Sequence, residues 1–389
     1  IKPRNSSMIY VLKEMFSNYV IDKIIFETII ELLRSKNARS MSGILQVAIM
    51  TSPGSFSCPE NCYFCPDQKG MPRSYIKEEP AVRRAAENNF DTVLQMYSRL
   101  SAYSGNGHNI DKLEIIVLGG TWSNYPHDYQ KEFMRDIFYA ANTYFFRRDN
   151  RLSLEEEKTI NESTLCKVIG VTIETRPDFI TKNEIKRLLS YGVTRVQIGA
   201  QTTDNKILKK INRGATTEDT IKAIHMLKDS GLKVLVHLMQ NLPTSTPEKD
   251  IQTFDDFIYN PDYQVDEWKI YPTSVTTTSE KDDTEVYTVI EKWFREGKYV
   301  PYSHEELMDV ILYAKKHIKE YIRISRVFRD IPIDNITGGA NVPHMREVLQ
   351  KMLYQETGEY CKCIRCREIK NTDFTLSLIH ISEPTRRRT

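Results

Sequence analysis

Apolar positions change period along this chain. From Ser6 to Leu33, residues Val11, Met15, Val20, Ile24, Ile29 and Leu33 recur at helical spacings, which predicts a helical N-terminal lead-in. At Ile44 the period changes. Ile44 to Met50 is short, apolar and partly β-branched, the pattern of a buried strand. Similar runs follow at Leu113 to Leu118, Val168 to Ile173, Arg195 to Ile198, Lys233 to Leu238 and Trp268 to Ile270. Between them lie helical patterns over Tyr129 to Tyr139, Lys182 to Tyr191, Thr217 to Ser230 and Lys249 to Phe257. A further strand is expected at Ile322 to Phe328, after a helix over His304 to Lys319. Six buried strands alternating with helices predict an α/β fold, a parallel sheet curled by right-handed crossovers into a partial TIM barrel of (β/α)6 type. The expected organisation is a helical extension (1–40), the barrel (41–335), a cysteine-containing linker (336–375) and a tail (376–389).

In such a sheet, chemistry gathers at the C-terminal ends of the strands. The first strand runs into Cys58-Pro59-Glu60-Asn61-Cys62-Tyr63-Phe64-Cys65, three thiols spaced C-x3-C-x2-C. Three thiolates on one loop hold three corners of a [4Fe–4S] cube and leave the fourth iron open. An open iron chelates the amino and carboxylate groups of S-adenosylmethionine (SAM), and an electron from the cluster cleaves it to a 5′-deoxyadenosyl radical. Zinc normally takes four ligands, and no fourth Cys or His lies between Ile44 and Tyr103. Seven cysteines in 389 residues, an odd count, make a poor disulfide framework.

The other strand ends are equally distinctive. Gly119-Gly120-Thr121 follows the second strand, where glycines let backbone approach an amino-acid moiety, or form a tight turn and no more. Glu174 and Arg176 end the third, a carboxylate for ribose hydroxyls or an ammonium and a guanidinium for a carboxylate. The alternative is an ion pair, Arg176 with Glu174 or Asp178, bracing the turn. Gln201, after the fourth strand, suits the adenosine portion of SAM. His237, in the fifth, either faces the cavity or is a satisfied core histidine.

Composition adds little. With 40% hydrophobic and 27% charged residues the chain can bury a large core. No apolar run reaches the roughly 18 residues of a membrane span, so a soluble, cytoplasmic protein is expected. The net charge of +2 equals the excess of Arg386, Arg387 and Arg388 over Glu383 in the tail, so residues 1–375 are neutral. RNA binding would need a local patch such as Lys2, Arg4, Arg34, Lys36 and Arg39. The tail, LSLIHISEPTRRRT, resembles a translated sequencing-adapter remnant and is expected to be non-native. A second thiol group, Cys361, Cys363 and Cys366, suits zinc if His344 or a residue further along supplies a fourth ligand. Cys166 reads as a core thiol.

Read in order, RSMSGILQVAIMTS (Arg39 to Ser52), CPENCYFCP, DKLEIIVLGGT (Asp111 to Thr121), IETRPD, RVQIGAQT, Asn212-Arg213-Gly214, HLMQNLP, WKIYPT and Arg329-Asp330-Ile331-Pro332 resemble the Elongator catalytic subunit family of radical-SAM tRNA-modifying enzymes, from about Lys2 to Ile369. The resemblance implies a [4Fe–4S] cluster on Cys58, Cys62 and Cys65, with SAM and acetyl-CoA. It implies a deoxyadenosyl radical that takes hydrogen from the acetyl methyl, addition to C5 of the wobble uridine, and release of CoA to leave 5-carboxymethyluridine. It further implies that Lys112 contacts acetyl-CoA, that tRNA is the substrate, and that other Elongator-like subunits are partners. The family's C-terminal acetyltransferase-like domain is not matched. Ala215 stands where a His commonly follows Asn-Arg-Gly, and Gln240-Asn241 where Pro-Asp is usual. The rival expectations are another radical-SAM enzyme, such as a methylthiotransferase or an oxidative decarboxylase, and a non-catalytic tRNA-binding scaffold.

Overall fold

The computed structural model describes residues 3–54, 56–276, 288–342 and 344–368. The tail expected to be non-native lies outside them. Among the described residues, seven strands form one parallel sheet: β1 (Leu45–Met50), β2 (Lys112–Leu118), β3 (Lys167–Thr175), β4 (Arg195–Gln201), β5 (Lys233–Leu238), β6 (Glu267–Ile270) and, at the far edge, β8 (Arg323–Arg326). The order β1-β2-β3-β4-β5-β6-β8 follows the chain, so each crossover adds the next strand beside the last. Strand β7 (Ser274–Thr276) leaves the sheet and pairs antiparallel with β9 (Ile336–Gly339). The result is the expected half-barrel, with β8 at the place of the further strand expected over Ile322 to Phe328.

Helices α1 (Asn5–Ser17) and α2 (Lys23–Leu33) form the lead-in. Those that follow are α3 (Pro80–Glu87), α4 (Thr92–Gly105), α5 (His127–Thr143), α6 (Leu154–Asn161), α7 (Lys182–Ser190), α8 (Asn205–Lys210), α9 (Thr217–Asp229), α10 (Pro247–Tyr259), α11 (Val289–Arg295), α12 (His304–His317) and α13 (Met345–Thr357). Their starts are set locally. Ser153, Thr216 and Ser303 form capping boxes at α6, α9 and α12, and Asp91 accepts the Leu94 N–H at 2.8 Å to start α4. The lead-in is broken where Tyr19 takes φ 58° and Asp22 caps α2 through the Ile25 N–H at 2.9 Å. The segment expected as a linker packs into the barrel's own core through Met345, Leu349, Leu353, Cys361 and Cys363.

Each strand presents two faces. Val47, Ile115, Val171, Val196, Val236 and Trp268 are buried in the shared core. The alternate positions carry Gln46, Glu114, Glu174, Gln197, His237 and Lys269, so the inside of the half-barrel is polar. Toward the strand N-termini an ionic cluster fills it. Arg195 pairs with Glu114 and, at 3.1 Å, with Glu267; Gln46 donates to Glu114 at 2.8 Å and Ser325 to Glu267 at 2.5 Å. The opposite end, at the strand C-termini, is left for the cysteine loop.

One buried acid shapes that end. Asp250 on α10 accepts the Asn241 N–H at 2.7 Å, the Ser245 hydroxyl at 2.7 Å and the Tyr302 hydroxyl at 2.9 Å, fixing the turn after β5. Burial pushes its carboxyl up to about 6, against these hydrogen bonds, which favour the charged form. A raised folded-state pKa means the folded chain holds more protons than the unfolded one between about pH 4 and 6. Stability should therefore fall as pH rises through that window, by at most about 3 kcal/mol from this group. Denaturant unfolding at pH 4 and pH 6 measures the difference, which Asp250→Asn should shrink; an unchanged difference in that variant would assign it elsewhere.

Candidate radical centre

The cysteine loop is held from two sides. From β2's end, Thr121 N–H donates to Ser57 O at 2.7 Å and Thr121 Oγ1 to Cys58 Sγ at 3.2 Å. From the turn after α8, Asn212 Nδ2 donates to Asn61 O at 3.0 Å, Tyr63 N–H to Ile211 O at 3.0 Å, and Arg213 Nη1 to Cys62 Sγ at 3.7 Å. Arg213 Nη2 also donates to Gly199 O at 2.8 Å, so one buried guanidinium links the loop to β4.

Gly119 and Gly120 turn out to face the chain itself. Both have positive φ (129° and 68°), and a Cβ would lie 1.9 Å from Thr51 Oγ1 at the first and 2.2 Å from Ser57 O at the second. Their freedom from a side chain lets β2's end pack against the root of the cysteine loop. Arg176 likewise takes the ion-pair alternative. It is almost fully buried, and its Nε and Nη2 hold Asp178 at 2.9 and 2.8 Å. Its Nη1, buried, has no partner.

Glu174, Gln201 and His237 line the interior. Glu174 accepts the Tyr75 hydroxyl at 2.8 Å and lies 3.3 Å from the Lys269 ammonium. His237 Nε2 is 3.0 Å from Gln197 Oε1 and 4.0 Å from Glu174, so it faces the cavity. Burial, then the nearby charge of Lys269, pushes its pKa well below the usual value and keeps the imidazole neutral at pH 7. Gln201 takes φ 69°, and its buried Oε1 has no partner. Lys112 is not with them. It is exposed at the N-terminal start of β2, about 20 Å of strand away from the cysteine loop.

Tyr75, Lys269, Arg213, Arg73 and Arg329 are residues that sequence reasoning passed over. Lys269, polar inside the apolar run of β6 and in register with His237 on β5, carried a period-two signal. Arg213 stood inside a quoted motif without a role. Arg329 stacks 4.9 Å above the Tyr75 ring and pairs with Glu79 at 2.8 Å, bridging the segment after β8 to the segment after the cysteine loop.

The thiols themselves suit a multi-iron group. Three thiols on one loop are the ligand number that leaves one iron of a [4Fe–4S] cube open. Burial, then the neighbouring Cys62, pushes the Cys65 thiol up to about 11, whereas Arg73 draws it down. The charges of Cys58 and Cys62 reach Arg176, and unpartnered buried atoms of Arg176, Gln201 and Arg213 stand around the loop. Cations beside the thiols and orphaned polar atoms fit an anionic cluster and a polar ligand on it.

A parallel half-barrel with this loop at the mouth of its first strand has the architecture of radical SAM proteins. Residues 53–257 match the radical SAM superfamily, and residues 265–355 match the Radical_SAM C-terminal domain. The chain is 41% identical over 347 residues to the tRNA uridine(34) acetyltransferase of Methanocaldococcus infernus, covering 88% of this chain and 62% of that protein. It is 38% identical to the protein of that name from Dehalococcoides mccartyi, covering 86% and 69%, and 32% identical to Elongator complex protein 3 of Dictyostelium discoideum, covering 95% and 63%. The solved structure of the Methanocaldococcus infernus Elp3 with an N-terminal deletion superposes with TM-score 0.70 at 36% identity, covering 84% of this chain and 66% of that one. This chain therefore belongs to the radical SAM family of the tRNA uridine(34) acetyltransferases and Elongator complex protein 3. It spans about three fifths of the length of the first relatives it matches.

The second thiol group closes the C-terminal segment. Cys363 and Cys361 are buried, and Lys315 Nζ and Arg346 Nη1 lie 3.7 and 3.8 Å from Cys366 Sγ. Hydrogen bonding from Cys361 and Cys363, with the charges of Lys315 and Arg346, holds the Cys366 thiol well below its usual range. His344 is not among the ligands within 4.8 Å.

Proposed function

We propose that this chain is the radical-SAM part of an enzyme that forms 5-carboxymethyluridine at the wobble uridine of tRNA, from SAM and acetyl-CoA. The carrying observation is the C-x3-C-x2-C loop at the strand C-termini, with Thr121 and Arg213 on its thiols, in a chain of this family. Cys58, Cys62 and Cys65 would hold a [4Fe–4S] cluster, which when bound supplies the site for SAM and the electron that cleaves it. The chain's own residues do the rest. Thr121 and Arg213 hydrogen-bond Cys58 and Cys62 and fix the thiol positions. Glu174, held by Tyr75 and Lys269, offers its remaining acceptor capacity to ribose hydroxyls or an ammonium, and Gln201 offers an unused amide oxygen to the adenosine portion. The neutral His237 and Gln197 extend the polar wall. Arg329 over Tyr75 holds the ring whose hydroxyl donates to Glu174. The position of Lys112 implies that acetyl-CoA, if it meets this lysine, reaches the opposite end of the barrel. Other Elongator-like subunits and a cytoplasmic setting belong to the same proposal; among the described residues, no helix is long and apolar enough to cross a membrane.

The test is chemical. Reconstituted anaerobically and reduced, the protein should yield 5-carboxymethyluridine in digested tRNA, by mass spectrometry, only with SAM and acetyl-CoA both present. Cleavage of SAM that ignores acetyl-CoA and tRNA would favour another radical-SAM substrate instead.

We further propose that Cys361, Cys363 and Cys366 hold zinc, with a fourth ligand other than His344. Three thiolates leave Zn²⁺ with a charge of −1, which Lys315 and Arg346 offset. Elemental analysis should find about one zinc per chain, and Cys363→Ser should remove it and lower the melting temperature by roughly 5–10 °C. Three freely titrating thiols and no zinc would exclude the site.

A further inference from the structure

The three loop thiols differ in what faces them. Cys58 takes a neutral hydroxyl, from Thr121, and Cys62 a guanidinium, Arg213, that is also committed to the Gly199 carbonyl. Cys65 takes Arg73, from the segment that follows the loop. Arg73 holds the loop at several points. Its N–H reaches Ser57 Oγ at 3.4 Å, its Nη2 donates to Asn61 Oδ1, and its Nη1 pairs with Asp67 Oδ2 at 2.6 Å. Its side chain is 14% exposed, whereas that of Asp67 is 60% exposed. One guanidinium is thus shared between a thiol inside and a carboxylate at the surface. Burial opposes the Arg73 charge, and the negative charges of Cys65 and Asp67 more than offset that cost.

Sharing of that kind matters for electron transfer. The readiness of an iron–sulfur cluster to accept an electron follows the net charge and the hydrogen bonds around its sulfurs. Reduction makes the thiolate-bound group more negative. A cation fixed beside one sulfur therefore favours the reduced form, and an anion beside that cation removes part of the gain. The other neighbours are less adjustable. Thr121 carries no charge, Arg176 is held by two bonds to Asp178, and Arg213 braces β4. Asp67 faces water, which screens it, so it cancels less of the Arg73 charge than a buried carboxylate would. The net cation left to Cys65 is the balance of these two side chains.

We propose that Arg73 and Asp67 set the reduction potential of the cluster held by Cys58, Cys62 and Cys65, the arginine raising it through Cys65 and the aspartate lowering it through the arginine. This rests on the radical-SAM reading above. Arg73 is a positioning residue in this scheme. It touches a cluster ligand, and it bears on SAM only through the electron that the cluster can hold.

The experiment is a redox titration followed by electron paramagnetic resonance, on the anaerobically reconstituted protein without SAM, with iron analysis of every sample. The variants are Arg73→Gln, Arg73→Lys and Asp67→Asn. Arg73→Gln should lower the midpoint, cutting the ratio of reduced to oxidised cluster at a fixed potential about tenfold, or about 59 mV for one electron. Asp67→Asn should move the ratio the other way, by roughly threefold, because its charge is screened. Arg73→Lys keeps the charge and should stay within about twofold of the unsubstituted protein. Asp67 is exposed, so its variant should fold and take up iron even if Arg73→Gln does not, and its upward shift then carries the test. A pair that only braces the loop would change iron content and leave the midpoint of the remaining cluster where it was, which would overturn the proposal. Shifts of the same sign in Arg73→Gln and Asp67→Asn would overturn it too, with the radical-SAM reading left standing. No iron bound at the loop of the unsubstituted protein would overturn both.

Discussion

Cys62→Ala should give a folded protein that forms no stable [4Fe–4S] cluster and makes no 5′-deoxyadenosine from SAM. Cys62 is the most buried of the three loop thiols and the one the Arg213 guanidinium addresses. Removing it leaves two ligands, below the three a site-differentiated cube requires. The loop itself should survive, because Asn212, Tyr63 and Thr121 hold it by backbone contacts that the substitution does not touch. The brown absorbance after reconstitution should be lost while circular dichroism stays as in the unsubstituted protein. Retained SAM cleavage in this variant would contradict the assignment of the loop as cluster ligand.

Gly120→Ala should be nearly as damaging for a different reason. A Cβ there would sit 2.2 Å from Ser57 O, a backbone atom one residue before Cys58, at a residue with φ 68°. No side chain can swing away to relieve that contact, and the left-handed conformation itself costs about 1 kcal/mol or more for a non-glycine residue. The cheapest response is to push the cysteine loop off β2's end, which breaks the Thr121–Ser57 and Thr121–Cys58 hydrogen bonds. Iron content after reconstitution should fall at least several-fold, with SAM cleavage falling in proportion. Normal iron content with lost cleavage would instead give Gly120 a direct part in binding SAM, the role the strand-end glycines suggested in the sequence.

Those glycines show where sequence reading reaches its limit. The half-barrel was legible because the core-facing positions of its strands read as short apolar runs alternating with helical patterns, from Leu45 to Met50 through Lys233 to Leu238. The three-thiol loop was legible because its spacing is local. What lies across the sheet was not. Arg213 meets Cys62 over 151 residues of chain, and Tyr75 meets Glu174 over 99. Arg176 offered a choice between a ligand and an ion pair that only the position of Asp178 decides. The β7–β9 ladder escaped because each strand is short and carries polar or glycine residues, Ser274-Val275-Thr276 against Ile336-Thr337-Gly338-Gly339. The helical lead-in was read as one stretch because Val20 and Ile24 carry the apolar spacing across the point where the Tyr19 backbone breaks it.

The most direct test of the account is the yield of 5′-deoxyadenosine from SAM by the anaerobically reconstituted, reduced protein, set against its iron content. The account predicts cleavage that scales with about four irons per chain and vanishes when the cluster is removed by chelation. A protein that binds four irons at the loop and leaves SAM intact, or that cleaves SAM with the loop stripped of iron, would contradict it.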